Sequence, residues 1–476
     1  MKKIQKILLR LVQILFILLP VVLGTIGFSK ENGGDIISAA YTSCRLYGMD
    51  ADMPDVINGF IQAARWLAPL AAASGILLII ESFGRRFLNW FKKFNSDNIV
   101  VYGNSVSSRL LLENLGSRGI TPPENKIVNA KKHVILFDTD QENIDFYTKN
   151  QDALNDKEVY IHLDEINELS ISNAGLHVFS MTEIAARLFW REEPIPFEKV
   201  ERGPYRIIII GFEDLGQELL KYGLLSNIFA PDQKLEYHIF GNTHHFFDWH
   251  RQLHQMTPDE VIVHEHEWCE EPELLAQADR IIFSGEDRIN LTNAGTLLAY
   301  YNLKTDIELF AAIHNEDVLK LIGDIDVIKP FAVMSKLCTK DYILNEKLNQ
   351  EAIRTHELYN SNITNPEWKI EWKDLSAFLR YSNISSADFD AVRKRYIEYY
   401  ADKISHEKMV DILTELEHIR WCRYHYLNNW VLGDTNDQSK RTHPCLIPFS
   451  ELSMEEIEKD KVIVEKFIKD NEGIPS

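Results

Sequence analysis

The 476-residue sequence predicts an α/β protein with two membrane helices at its N-terminal end, tandem parallel-sheet units in the middle and an α-helical module at its C-terminal end. Three observations predict this order. Two apolar runs fall within the first 80 residues, short buried strands alternate with helices from about 98 to 332, and after Tyr359 the composition turns helical and charged. The implied boundaries are 1–94, 95–192, 204–335 and 350–476.

Ile7 to Phe28 is apolar apart from Arg10, Gln13 and Thr25, and Phe60 to Ile80 is a second apolar run. A bilayer core of ~30 Å is crossed by about 20 apolar helical residues. Lys2, Lys3, Lys6 and Arg10 flank the first run, and Arg85, Arg86, Lys92 and Lys93 follow the second. Both clusters on the inner side give two spans in the plasma membrane, with both termini in the cytoplasm. The loop from Ser29 to Gly59 then faces outward. It lacks the T-x-G-Y-G run of a potassium filter, and two spans enclose a pore only in a homo-oligomer.

Charge supports the division. The chain carries −20 overall, yet Met1–Phe94 is +5 and the remainder −25. An acidic bulk of this size argues against nucleic acid as a partner, because binding phosphates needs clustered cations. Mean hydropathy of −0.21 excludes a chain made mainly of membrane helices, and 22 Gly and 16 Pro exclude collagen-like or disordered composition. Five scattered Cys with no C-x-x-C pair argue against a disulfide framework and a structural zinc site.

In the first sheet unit, Asn98–Tyr102 reads as a strand, followed by the turn Gly103-Asn104-Ser105-Val106-Ser107-Ser108 and a helix. His133–Phe137, Glu158–Leu163 and Leu176–Phe179 read as the next strands, with a helix from Met181 to Trp190. A phosphate-binding turn needs small residues where the backbone approaches a pyrophosphate, and an acid near the end of the second strand to hold ribose hydroxyls. Gly103, Ser105 and Ser108 fill the glycine positions, and Asp138 and Asp140 supply the acid, displaced along the chain by an inserted loop from Ser117 to Lys132. Two readings stand open: a site for a nucleotide, NAD-like or cyclic, and a structural Rossmann-like domain whose site is empty.

Glu192–Pro204, acidic and with three prolines, marks a boundary. The pattern recurs with Tyr205–Ile210, the turn Gly211-Phe212-Glu213-Asp214-Leu215-Gly216, and strands at 236–240, 261–266, 280–283 and 308–313. Glu213 stands at the middle glycine position, where a carboxylate would repel a pyrophosphate. Dinucleotide binding is therefore expected less in this unit.

Membrane helices followed by a degenerate glycine turn and a parallel sheet resemble the RCK, or TrkA-N, domains that regulate potassium channels and transporters. The resemblance spans about Asn98 to Ala332 as a tandem Rossmann-like pair. It implies a sheet domain that binds a nucleotide or ion through Gly103, Ser105, Ser108 and Asp138, dimerises, and transmits strain to a membrane pore.

Near the C-terminal end, Val410–Asn429 reads as a helix carrying His418, Trp421 and His425 on one face. The series H-x-x-W, then Trp430-x-x-Gly433, then His443-Pro444-Cys445-Leu446-Ile447-Pro448-Phe449, then Lys459-Asp460 resembles the RyR domain, the repeat named for ryanodine receptors, over about Leu413 to Lys461. Two readings of His418, Trp421, Trp430, His443 and Pro444 stand open. One is a small aromatic core with satisfied histidines. The other is an aromatic pocket in which a nucleotide-like ligand stacks on Trp.

His244, His245, His250 and His254, with His264 and His266, invite a metal reading, but the residues between His250 and His254 are Arg, Gln and Leu rather than the H-E-x-x-H pattern, and no metal is assigned. No Ser-His-Asp, G-x-S-x-G or Walker pattern is visible, so no catalytic residue is assigned and a non-enzyme is expected. The whole implies a membrane-anchored ligand sensor, a nucleotide-responsive regulator or gate of cation flux of the potassium type. The alternative from the same parts is an antiphage defence effector that senses a nucleotide messenger and disrupts the membrane. An NAD(P)-dependent oxidoreductase is the weaker third, lacking an acid or base beside Asp138.

Overall fold

Lys2–Glu31 forms one helix, α1, followed by α2 (Ile36–Arg45) and a helix over residues 59–73. They belong to the first of two compact units, Met1–Ser96 and Asp97–Ser476. The computed structural model describes residues 2–31, 33–55, 57–73, 98–165, 176–243, 245–318, 327–362 and 369–471.

Asp35 caps α2 by accepting from the backbone N–H groups of Ile37 (3.1 Å) and Ser38 (3.2 Å). Phe28, Ala39, Leu46, Ile61, Ala64 and Ala68 close a small core between the helices. Asn58 donates to the Gly27 carbonyl and to Glu31, each at 3.0 Å.

The expected two-span membrane anchor is corrected here. Among the described residues no helix is long and apolar enough to cross a membrane. In α1 the run uninterrupted by Arg10 or Gln13 is only about 15 residues, or about 22 Å at ~1.5 Å per residue, short of the ~30 Å of a bilayer core. Its far end packs on α2 and on the helix over 59–73. The plasma-membrane placement and the ion-transport role that rested on two spans fall with it. Residues 74–80 of the second run and the basic cluster at 85–93 lie outside the described residues.

The α/β expectation is met by two all-parallel sheets. The first contains β1 (Ile99–Tyr102), β2 (Gly119–Ile120), β3 (Lys132–Ile135), β4 (Glu158–His162) and β5 (Leu176–Phe179), in the order β2-β1-β3-β4-β5. Every residue of β1 is buried, as expected of a central strand covered on both faces. The two-residue β2 lies inside the segment read as an inserted loop; it is too short to show a period. The helices α3 (Val106–Leu115), α4 (Asp140–Leu154) and α5 (Met181–Glu192) begin at Ser105, Thr139 and Ser180, each of which caps through its hydroxyl.

The second sheet contains β6 (Tyr205–Ile210), β7 (Leu235–Phe240), β8 (Glu260–His264), β9 (Arg280–Phe283), β10 (Glu308–Ala312) and β11 (Ile328–Phe331), in the order β11-β10-β9-β6-β7-β8. This is the doubly wound arrangement of two three-strand halves, with its crossover between β6 and β9. The sequence reading found all but β11, whose exposed Lys329 and Pro330 hide it. Helix α6 (Asp214–Ser226) follows β6, and α7 (Asp287–Tyr300) joins β9 to β10.

The proline-rich boundary at 192–204 does not separate the sheets mechanically. Trp190 of α5 donates its indole N–H to the Leu219 carbonyl of α6 at 2.9 Å. One apolar core runs from Leu111 and Val134 through Ile207 and Ile239 to Phe389, Leu413 and Leu416.

The last three belong to helices α9 (Ala377–Tyr400) and α10 (His406–Leu427), which follow α8 (Gln350–Asn362) and precede α11 (Met454–Asn471). Buried ion pairs fasten them to the sheets: Arg187 of α5 to Asp388 at 2.8 Å, and Asp259, just before β8, to Arg423 at 2.7 Å. Between α9 and α10, Glu417 receives Arg393 and Arg420. Such pairs fix register, since removing one partner leaves a buried charge that costs about 3–5 kcal/mol.

Candidate functional site

A cavity of about 590 Å³ opens where the carboxyl ends of the two sheets meet. The first sheet contributes Leu163, Asp164 and Glu165 beyond β4, and Phe179 and Ser180 where β5 ends. The second contributes Phe212, Glu213 and Asp214 beyond β6, and Asn242, Thr243, His245, Phe246, Trp249 and His250 beyond β7. Tyr381 and Ser385 of α9 and Tyr424, Leu427 and Asn428 at the end of α10 form the roof. Carboxyl ends of parallel strands present loops and helix starts, which is why ligands of open α/β sheets gather there.

The wall is apolar and acidic together. Phe212 is fully buried and meets Phe246 edge-on at 5.2 Å, and Trp249 stacks on His245 at 5.5 Å. Asp164 accepts from Ser180 Oγ (2.7 Å) and from the N–H groups of Met181 (2.8 Å) and Thr182 (3.2 Å) at the start of α5. Burial opposes its charge, but His162, at 2.8 Å, with Ser180 and the Thr182 N–H, holds its carboxyl well below the usual range. Asp214 goes the other way. Burial, then the charges of Asp164, Glu165, Asp140 and Glu213, push it up to about 6. Glu218 is likewise raised by burial, against the pull of Lys221 beside it. Glu183 accepts from the Tyr381 hydroxyl at 2.9 Å. A wall with this surplus of carboxylates favours hydroxyl, amine and cationic groups and disfavours a phosphate placed deep inside.

Gly103, Ser105, Ser108, Asp138 and Asp140 come together at the carboxyl ends of β1 and β3. Most of their polar groups are already used in holding the turn. Gly103 has φ +122°, and a Cβ there would collide with the Leu136 carbonyl. Ser105 Oγ donates to Leu136 O and accepts from Ser108 N–H, both at 2.9 Å, and Ser108 Oγ donates to Ser105 O at 2.9 Å. Asp140 accepts from the N–H groups of Asp164 (3.0 Å) and Glu165 (2.9 Å), fixing the loop that forms one cavity wall. Asp138 is exposed.

His418, Trp421, Trp430 and His443 also come together, around α10 and the turn that follows it. Trp421 packs on His425 at 3.9 Å and on His443 at 4.8 Å. Trp430 stacks on Phe378 at 5.1 Å. His418 meets the Ile447 carbonyl at 2.9 Å and lies 3.6 Å from Asp460. Burial opposes its charge, yet Asp460, Cys422 and that carbonyl raise it to about 10. Burial lowers its neighbour His425 to about 4. The imidazoles are partnered and Trp430 is 5% exposed, as in a packed core; Trp421 stays half-buried and Pro444 is exposed at the edge.

The remaining histidines separate. His250 meets the Leu427 carbonyl at 2.7 Å, tying the loop after β7 to α10, and burial lowers it to about 4. His254 meets its neighbour Arg251 O at 3.0 Å. His244 lies outside the described residues. The sequence reading passed over Phe246, Trp249 and Tyr381 as cavity residues. The aromatic density of His245–Trp249 is the signal in the sequence that points to the first two.

No curated protein and no solved structure matches the chain. A protein-family model does match: residues 403–470, comprising α10, the turn that carries Trp430 and His443, and most of α11, match the RyR domain.

Proposed function

We propose that this chain is a ligand sensor that takes a nucleoside-like molecule into the cavity between the two sheets. One observation carries the reading: the cavity is walled by strand ends of both sheets and roofed by α9 and by α10 of the RyR domain. A ligand there touches all three parts at once. Trp249 and Tyr381 offer ring faces for a base, and Asp164, Glu165 and Glu213 offer acceptors for sugar hydroxyls or ring amines. Any phosphates would face outward, away from the carboxylates. Occupancy shifts the balance between arrangements of sheets and roof to the extent that the ligand prefers one of them.

The test is a thermal-shift and calorimetric panel of nucleosides, NAD and cyclic nucleotides, with native mass spectrometry of the purified chain for co-purifying molecules. A ligand at 100 times its Kd adds about 2.7 kcal/mol of stability. Trp249→Ala, at an exposed position on the rim, should weaken binding about tenfold. The proposal fails if no panel member stabilises the chain and no small molecule co-purifies. It also fails if binding is indifferent to Trp249→Ala.

A further inference from the structure

At the edge of the second sheet, outside the cavity lining, β8 ends in His264, His266 follows two residues later, and Glu271 closes the next turn. Their ligand-type atoms all lie within 4.8 Å of one another. Glu271 Oε1 is 2.8 Å from His266 Nε2 and 4.0 Å from His264 Nδ1. A tetrahedral ion with bonds of ~2.0–2.1 Å separates its ligands by about 3.3 Å, between those two distances. Side-chain rotations of His266 and Glu271, both partly exposed, make up the difference.

What lies behind His264 gives the cluster its direction. Its ring is stacked on Phe240 at 4.2 Å, which fixes its plane. Its other nitrogen, Nε2, is 3.0 Å from Nδ1 of His238 on β7. His238 is 7% exposed, and its Nε2, with no hydrogen bond, faces Glu236 at 3.8 Å. With Nδ1 of His264 on an ion, Nε2 carries the ring proton and donates it to His238, whose own Nε2–H then points at the Glu236 carboxylate. Metal-bound imidazoles are oriented by an outer hydrogen bond of this kind.

We infer that His264, His266 and Glu271 form a binding site for a divalent transition metal of the zinc class, oriented from behind by His238 and Glu236. Two imidazoles and a carboxylate suit zinc and its neighbours rather than calcium or magnesium, which take oxygen ligands. Three protein ligands leave at least one position open to water or to a partner's group.

The experiment is zinc titration of the chelator-treated full chain by calorimetry, with metal content by mass spectrometry and cobalt substitution read by its visible spectrum. The expected result is one zinc per chain and a tetrahedral cobalt band. His266→Ala and Glu271→Gln, at partly exposed positions that leave the core intact, should each weaken zinc at least tenfold. His238→Phe should weaken it about tenfold through orientation alone. His254→Ala, an exposed histidine outside the cluster, should change nothing. Absence of zinc binding, or equal affinity in the wild-type chain and His266→Ala, overturns the inference.

Discussion

The turns after β1 and β6 follow one plan, strand to glycine to helix, and end up doing different things. After β1, the small hydroxyl residues turn inward. Ser105 caps α3 and reaches the Leu136 carbonyl, and Ser108 bonds back to Ser105. After β6, the corresponding stretch carries Glu213 and Asp214. Glu213 stands at the cap position of α6 with no side-chain cap bond, and both carboxylates face the cavity. A short hydroxyl beside a helix start satisfies the backbone. The two carboxylates after β6, left out of that role, contribute instead to the field of the cavity. The turn that looked like a nucleotide site is mostly self-satisfied, and the turn whose acid argued against a pyrophosphate lines the open space.

The largest expected effect tests the shared part of the plan. Gly103→Ala places a methyl against the Leu136 carbonyl in a left-handed backbone, so it should destabilise by about 3 kcal/mol or more in urea unfolding. Gly211→Ala meets Gly285 N at 2.9 Å, also at positive φ, and should cost less. Equal losses would mean that the two turns are equally tight. Next, Ser105→Ala removes a cap and a buried hydrogen bond and should lose about 1–2 kcal/mol, whereas Glu213→Gln should stay within about 0.5 kcal/mol. If Glu213→Gln proves the costlier, the contrast between the turns is wrong.

The smallest effect is electrostatic and depends on pH. Burial and the surrounding carboxylates push Asp214 up to about 6, above its ordinary 3.8, so the folded state holds its proton more tightly than the unfolded one. Its contribution is fully present below about pH 3.8 and is lost as pH rises through 6. Asp214→Asn should therefore raise Tm at pH 8 and leave it nearly unchanged at pH 3.5. A rise of the same size at both pH values would locate the strain elsewhere.

Legibility followed the range of the interaction. The strand at 205–210 was plain because Ile207–Ile210 is a continuous apolar run between turn signals, and the RyR region was plain because His418, Trp421, Trp430 and His443 stand at fixed spacings. The edge strands β2 and β11 were hidden, one by length and the other by polar residues. The apolar run in α1 was read as a membrane span because hydropathy alone does not say whether a greasy face meets lipid or α2. The cavity was invisible because Asp164, Trp249 and Tyr381 lie in three separate stretches of chain, and no local pattern joins them.

By itself, the sequence determined what local chemistry can: two parallel-sheet segments, and the RyR resemblance over about Leu413 to Lys461, inside the matched residues 403–470. These depend on residues a few positions apart, where period and spacing act. Tertiary structure alone decided that the sheets turn their carboxyl ends toward one cavity, that α9 and α10 roof it, and that His264, His266 and Glu271 converge beside His238. Those outcomes come from buried pairs such as Arg187–Asp388 and Asp259–Arg423, which join residues more than 160 positions apart. Burial makes such contacts strong, and chain distance makes them unreadable in advance.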